Sequence, residues 1–252
     1  MLLASFENIR DFCERMYWDW PDSITEYSDG YVLNYSGLTW LSGANQLWVD
    51  DPSIVTPMFL EYCSRFFRRY RAEWSIVVMP VVQPDLKDRI LRAGGYIRWD
   101  SPVMILEGMP AAVTSSHIHI RPVRGSIMER QAQRILSEAF YVDHAVNLRL
   151  VRPDHETDPA ISHYMAYYDE QPAAVATMTL TQDIAGIWNV GTRRMFRRKG
   201  LASALMYQMC YDAYHYGYSH TMLMASSMGQ PIYEKMGYTI VGDVLYMGLA
   251  SY

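Results

Sequence analysis

The stretch 187–204, IWNVGTRRMFRRKGLASA, concentrates residue types suited to an anionic ligand. A short apolar strand over 187–190 runs into a loop carrying Arg193, Arg194, Arg197, Arg198 and Lys199, then reaches Gly200 and a helix. The helix is predicted from an apolar stripe at Ala202, Leu205, Met206, Met209 and Ala213, with Gly217 as its stop. A helix begins with backbone N–H groups that lack intrahelical partners and carry a partial positive charge, which suits a phosphate. Gly200 lets the backbone approach an anion with no Cβ in the way, and small Ala202 and Ser203 keep the first turn open. Arg197, Arg198 and Lys199 add charge beside a pyrophosphate or ribose phosphate. Neither GxxxxGK[ST] nor GxGxxG occurs, which excludes the common phosphate loops. Taken alone, the stretch also fits a glycine-capped helix behind a solvated basic loop.

Its surroundings narrow the choice. Arg197-x-x-Gly200-x-Ala202 matches the [Q/R]-x-x-G-x-[G/A] signature of the GNAT superfamily of N-acetyltransferases. Val190-Gly191-Thr192 resembles that family's strand-to-loop entry, and 231–238, PIYEKMGY, resembles its closing helix with Tyr and Gly-aromatic. The resemblance covers about residues 118–252. It implies a twisted mixed sheet in which two neighbouring strands, here 187–190 and 221–225, splay apart. Acetyl-CoA, as co-substrate, would lie in the splay, its pyrophosphate on the amides of Arg198, Lys199, Gly200, Leu201, Ala202 and Ser203. The Val190 amide would polarise the thioester carbonyl. A neutral amine would attack directly, and Tyr233, at the family's tyrosine position, would protonate the departing thiolate. The bland reading of Tyr233 is an aromatic packed on its helix. Many relatives carry a basic carboxylate near the splayed strand, but Trp188-Asn189-Val190 has none. Asp143, His144 or water remain as routes for the amine proton, and the base stays unassigned. A non-catalytic acyl-CoA sensor is the alternative function.

These residues need a frame. With 252 residues, half of them hydrophobic and 19% charged, the chain can bury one large core or two smaller ones. A net charge of −5 argues against a nucleic-acid surface. Cys13, Cys63 and Cys210 stand far apart with no CxxC, which reads as three reduced thiols. His117 and His119 would share a strand face but have no third ligand nearby, so no metal is expected. No apolar run approaches a membrane span and no signal peptide is evident, so the expected location is cytoplasmic. The expected partner is a small-molecule or peptide amine, with no nucleic acid and no membrane.

Helices are predicted over 2–20, 57–70, 85–93 and 126–140, and strands over 31–35, 46–49, 74–79, 103–106, 163–168, 173–180 and 187–190. The small, polar segment 108–116 is expected to divide the chain into domains 1–110 and 117–252. WSIVVM at 74–79 and HTMLMA at 220–225 each precede a helix, a Gly-Tyr and a final strand, a weak internal repeat. The expected fold class is therefore α/β, with two GNAT-like domains, each a twisted mixed sheet flanked by helices. In the first half Asp50 and Asp51 stand where a phosphate would sit, so that copy is read as degenerate, shaping the acceptor cleft or supporting the second half.

Overall fold

The computed structural model describes residues 1–112 and 115–250; Val113 and Thr114, inside the expected boundary segment, lie outside the described residues. Helix α1 (Leu2–Cys13) opens the chain and passes into a π-helical turn over Glu14–Trp18, where a single helix to residue 20 is predicted. Strands β1 (Ile24–Ser28), β2 (Tyr31–Tyr35) and β3 (Gln46–Val49) follow, then α2 (Pro57–Arg69), β4 (Ser75–Val78), α3 (Pro84–Arg92) and β5 (Gly95–Glu107). The second half holds β6 (Ile118–Pro122), α4 (Gly125–Phe140), α5 (His144–Leu150), β7 (Ile161–Tyr168), β8 (Gln171–Leu180) and β9 (Ala185–Thr192). It ends with α6 (Leu201–His215), β10 (His220–Met224), α7 (Gln230–Lys235) and β11 (Thr239–Leu249).

Two compact units share these elements, and they exchange chain ends. Leu3–Ile9 and Met104–Ile240 form one; Arg10–Val103 and the chain from Val241 form the other. Strands β5 and β11 therefore each contribute residues to both units, and the change of unit falls inside β5, between Val103 and Met104.

In the unit of Arg10–Val103, hereafter the first, the strand order is β1-β2-β3-β4-β11-β5. Asp29-Gly30 joins β1 to β2 as a two-residue turn, in which Gly30 takes the left-handed φ of 88° that glycine adopts without steric cost. Parallel β3 and β4 are joined through α2, whose Leu60, Cys63, Phe66 and Phe67 bury against Leu33, Leu47, Ile76 and Met247.

The second unit orders its strands β5-β10-β9-β8-β7-β6. β6 to β9 form an antiparallel meander, and β10 joins β9 in parallel through α6. Asp169 and Glu170, both at positive φ, make the tight turn between β7 and β8. Helix α6 buries Leu201, Ala204, Leu205, Met206, Met209, Cys210 and Ala213 with Tyr164, Ala176, Ile187 and Leu223 of the sheet. Each large apolar side chain so buried contributes about 1.5–3 kcal/mol. That packing fixes the direction of the α6 N-terminus.

Candidate active site

The site grows from the way β9 leaves β10. The two strands pair at Thr221↔Ala185 and Met222↔Gly186, and at no later position. Beyond Gly186 and Met222 the facing edges carry no shared ladder, so the parting expected over 187–190 and 221–225 begins after Met222, with Thr221 and Met222 still paired. Two contacts fix where β9 starts. Asn8 of α1 is fully buried, and its Nδ2 donates to the carbonyls of Thr179 (3.4 Å) and Ile184 (3.2 Å) and to Thr181 Oγ1 (3.0 Å). Gly186 has no space for a Cβ, because Asn8 Oδ1 and Trp188 Nε1 occupy it.

On its other edge β9 pairs with β8, and the register slips within it. Val175 faces Gly191 and Thr177 faces Trp188, so Asn189 and Val190 together oppose Ala176. This is a β-bulge, and Asn189 takes φ 54° to form it. A bulge turns backbone N–H groups out of the regular ladder. Val190 is half-buried and packs against the cluster that holds Ala176, Ile187, Leu223 and Tyr233. Val190 and Tyr233 therefore belong to the same apolar cluster.

Past Thr192 the chain makes a 3-10 turn over Arg194–Phe196, anchored by buried Phe196. Arg198 (φ 63°) and Gly200 (φ 83°) are both left-handed, and α6 begins with no side chain capping its amides. Successive N–H groups in such a turn form an anion-binding concavity. A Cβ on Gly200 would meet only Ile118 Cδ1, at 3.9 Å, so the approach is open. Leu201 is buried, whereas Ala202 and Ser203 are half-buried at the turn. Leu201 thus belongs to the inward stripe in place of Ala202.

The basic side chains divide by task. Arg197 donates to the carbonyls of Thr192 (3.3 Å) and Ala139 (3.2 Å). Arg193 pairs with Glu138 at 2.7 Å and donates to the Pro172 carbonyl. Lys199 Nζ lies 4.1 Å from the Tyr168 ring centroid, a cation–π contact at the rim. Arg198 is exposed.

Tyr233 is buried on α7, 6.0 Å from the Tyr238 ring. Its ring lies so close to Gly229 that a Cβ there would clash with it. Burial pushes the phenol up to about 12. Tyr238 is held apart from this by Thr221 Oγ1 at 2.7 Å and Cys210 Sγ at 3.4 Å.

The Asp143 carboxylate caps α5, accepting from the Ala145 amide at 2.7 Å, and His144 is exposed on that helix. A buried polar chain not evident in the sequence crosses the sheet instead: His155 Nδ1 to His163 Nε2 at 2.9 Å, and His163 Nδ1 to Thr177 Oγ1 at 2.8 Å. Burial, helped by the neighbouring His155, pushes His163 down to about 3. His117 and His119 sit by the carboxylates of Asp169 and Glu170, and among the described residues no group of three metal-ligating side chains converges.

The first unit repeats the strand–helix–strand order without the same geometry. β3 and β4 pair at three successive positions, Gln46↔Ser75 to Trp48↔Val77. The α2 N-terminus is capped by Thr56, whose Oγ1 accepts from the Phe59 amide. Asp50 pairs with Arg10 at 2.7 Å, and Asp51 accepts from the Ser53 amide.

Residues 130–238 match the family model described as the acetyltransferase (GNAT) family. Among solved structures, a GCN5-related N-acetyltransferase from Kribbella flavida is similar over 100% of this chain and 96% of its own, with a TM-score of 0.78 and 17% identity. A GCN5-related N-acetyltransferase from Sphaerobacter thermophilus follows with 97% and 85% coverage, TM-score 0.65 and 16% identity. A tandem GNAT protein from the clavulanic acid biosynthesis pathway covers 98% of this chain and 97% of its own, with TM-score 0.63 and 10% identity. At these identities the likeness is one of fold. Comparison with curated protein sequences found no match. No helix among the described residues is long and apolar enough to cross a membrane.

Proposed function

We propose that this chain, which carries a GNAT-family acetyltransferase domain over residues 130–238, moves the acetyl group of acetyl-CoA to an amine. One observation carries the reading: β9 parts from β10 after Gly186 and leads directly into the uncapped N-terminus of α6. An extended pantetheine needs the first feature, and a pyrophosphate needs the second.

The amides from Arg198 to Ser203 hold the diphosphate, with Arg197 fixing the loop that presents them. The Val190 N–H, in the bulge, polarises the thioester carbonyl. The amine attacks while both partners are held in line, which replaces a bimolecular encounter by an oriented one. Tyr233 gives its proton to the sulfur as the C–S bond breaks. The acceptor is a small-molecule or peptide amine, and neither nucleic acid nor membrane takes part. The protein works in the cytoplasm and uses no metal.

We assign residues 117–252 as the working domain and 1–110 as a degenerate copy that supports it. Pairing of β3 with β4 at three successive positions and the Thr56 cap on α2 support that assignment.

A second reading, a non-catalytic acyl-CoA sensor, draws on the absence of a carboxylate in β9 and on the capping task of Asp143. Release of free thiol from acetyl-CoA across a panel of amines separates the two. Transfer to some amine, lost in Gly200→Glu, supports the enzyme. Tight coenzyme A binding with no thiol release on any amine favours the sensor.

A further inference from the structure

Asn189 carries an amide group that the steps above leave unused. It sits at φ 54° in the bulge opposite Ala176. Its Nδ2 is buried, with no hydrogen-bond partner among the described residues. Burying a donor without an acceptor costs about 1–3 kcal/mol. The left-handed backbone adds strain of its own. Native structures keep few buried donors without an acceptor, so the unpaired Asn189 amide calls for a partner of its own. The adjoining bulge residue, Val190, packs in the cluster of Ala176 and Tyr233, so Asn189 sits one residue from the amide assigned to the acyl group.

We propose that Asn189 Nδ2 donates a hydrogen bond to the thioester carbonyl oxygen of acetyl-CoA, as a second donor beside the Val190 N–H; this rests on the reading in the preceding subsection. The chemistry selects that oxygen. Nδ2 only donates, and the attacking amine must keep its lone pair for the carbonyl carbon, so a donor aimed at the amine would oppose the reaction. The carbonyl oxygen accepts throughout. As the N–C bond forms, the C=O π pair moves onto oxygen, where the two donors hold the charge. The C=O then re-forms and the C–S bond breaks, sulfur taking a proton from Tyr233 while the amine proton passes to water. Donors already in place for that charge need no reorganisation when it appears.

The test is calorimetry with acetyl-CoA and with S-ethyl-coenzyme A, a thioether that keeps the nucleotide and pantetheine but lacks the carbonyl oxygen. Asn189→Gly keeps the positive φ and removes the amide. Asn189→Asp keeps the shape and the turn preference, and decides the matter if the glycine variant fails to fold. Each variant is expected to bind acetyl-CoA about 3–10-fold more weakly, the worth of one neutral hydrogen bond, and to bind S-ethyl-coenzyme A as the wild type does. Equal losses for both ligands would put the amide on the pantetheine and overturn the proposal. So would undiminished acetyl-CoA affinity. If the wild type binds neither ligand, the acetyl-CoA reading itself fails, an outcome distinct from either.

Discussion

Arg197 donates from Nη2 to the carbonyl of Ala139 at 3.2 Å, fastening the loop before α6 to the last turn of α4. The last carbonyls of a helix have no intrahelical partners and carry partial negative charge, so a guanidinium there is doubly favoured. Its Nε holds the Thr192 carbonyl at the same time. One side chain thus ties the end of β9, the loop before α6 and the end of α4 within a single unit. The signature arginine acts here through the backbone it shapes.

Arg197→Met is therefore expected to lower unfolding free energy by about 1–3 kcal/mol, the worth of hydrogen bonds to a charged group. Coenzyme A affinity should fall with it, and Arg197→Lys should recover little, since an ammonium cannot span two carbonyls as a planar fork does. Chemical denaturation alongside calorimetry checks this. Lost affinity with unchanged stability would move the guanidinium from the clamp to the phosphate.

The loop, α6 and α7 were legible because their signals are local: a basic run, Gly200, an apolar stripe and Tyr233-x-x-x-Gly237-Tyr238 lie within about fifty residues. What escaped the sequence depends on distant partners. Asn8 meets Thr179 across 171 positions, and nothing near Asn8 announces it. The bulge at Asn189 exists only through the register of β8 against β9. Strand β1 is largely exposed, so it lacks an apolar alternation, although Asp29-Gly30 after it is a hairpin signal that could have been used. Of the first-half tryptophans, Trp18 and Trp48 are buried, whereas Trp40 is exposed.

A titration with coenzyme A should saturate at one molecule per chain. The Phe59 amide of α2 already has Thr56 Oγ1, and Asp50 and Asp51 bring negative charge to the turn that would have to hold phosphates. β3 and β4 leave no gap for a pantetheine. Calorimetry giving two molecules per chain would show that the first unit binds cofactor after all.

His163 makes stability fall on the acid side. Its folded value of about 3 lies below the unfolded value near ~6.5, so the unfolded chain binds the proton first. Its contribution is complete above that unfolded value and is lost as pH falls from ~6.5 toward the folded value. By pH ~5 the loss should reach about 2 kcal/mol relative to neutral pH. His155 is the titratable partner in direct contact, so His163→Gln must be compared with the wild type at each pH. The variant's stability should change less between neutral and acid conditions. Parallel curves for the two proteins would mean that His163 is not buried neutral.

Tyr233→Phe keeps the buried ring and its contact with Tyr238 and removes only the phenolic proton. Stability and coenzyme A affinity should barely move. The single-turnover rate should fall on the order of 10²–10⁴-fold, as for other positioned acids. Burial sets the energetics. A phenol at about 12 facing a free thiol near ~8.5 would lose about 5 kcal/mol on full transfer. Under the proposed mechanism the thiolate would leave beside the apolar cluster that holds Tyr233, where desolvation would raise its proton affinity as it raises that of the phenol and so narrow the gap. Because the folded value is raised, Tyr233 stays protonated at every ordinary assay pH. The wild-type rate should therefore show no alkaline fall up to about pH 10 from this group, and any acid limb belongs to the amine. Single-turnover measurements are needed because slow product release would mask the chemical step. A Phe variant with a wild-type single-turnover rate would assign the proton to solvent and leave Tyr233 as packing alone.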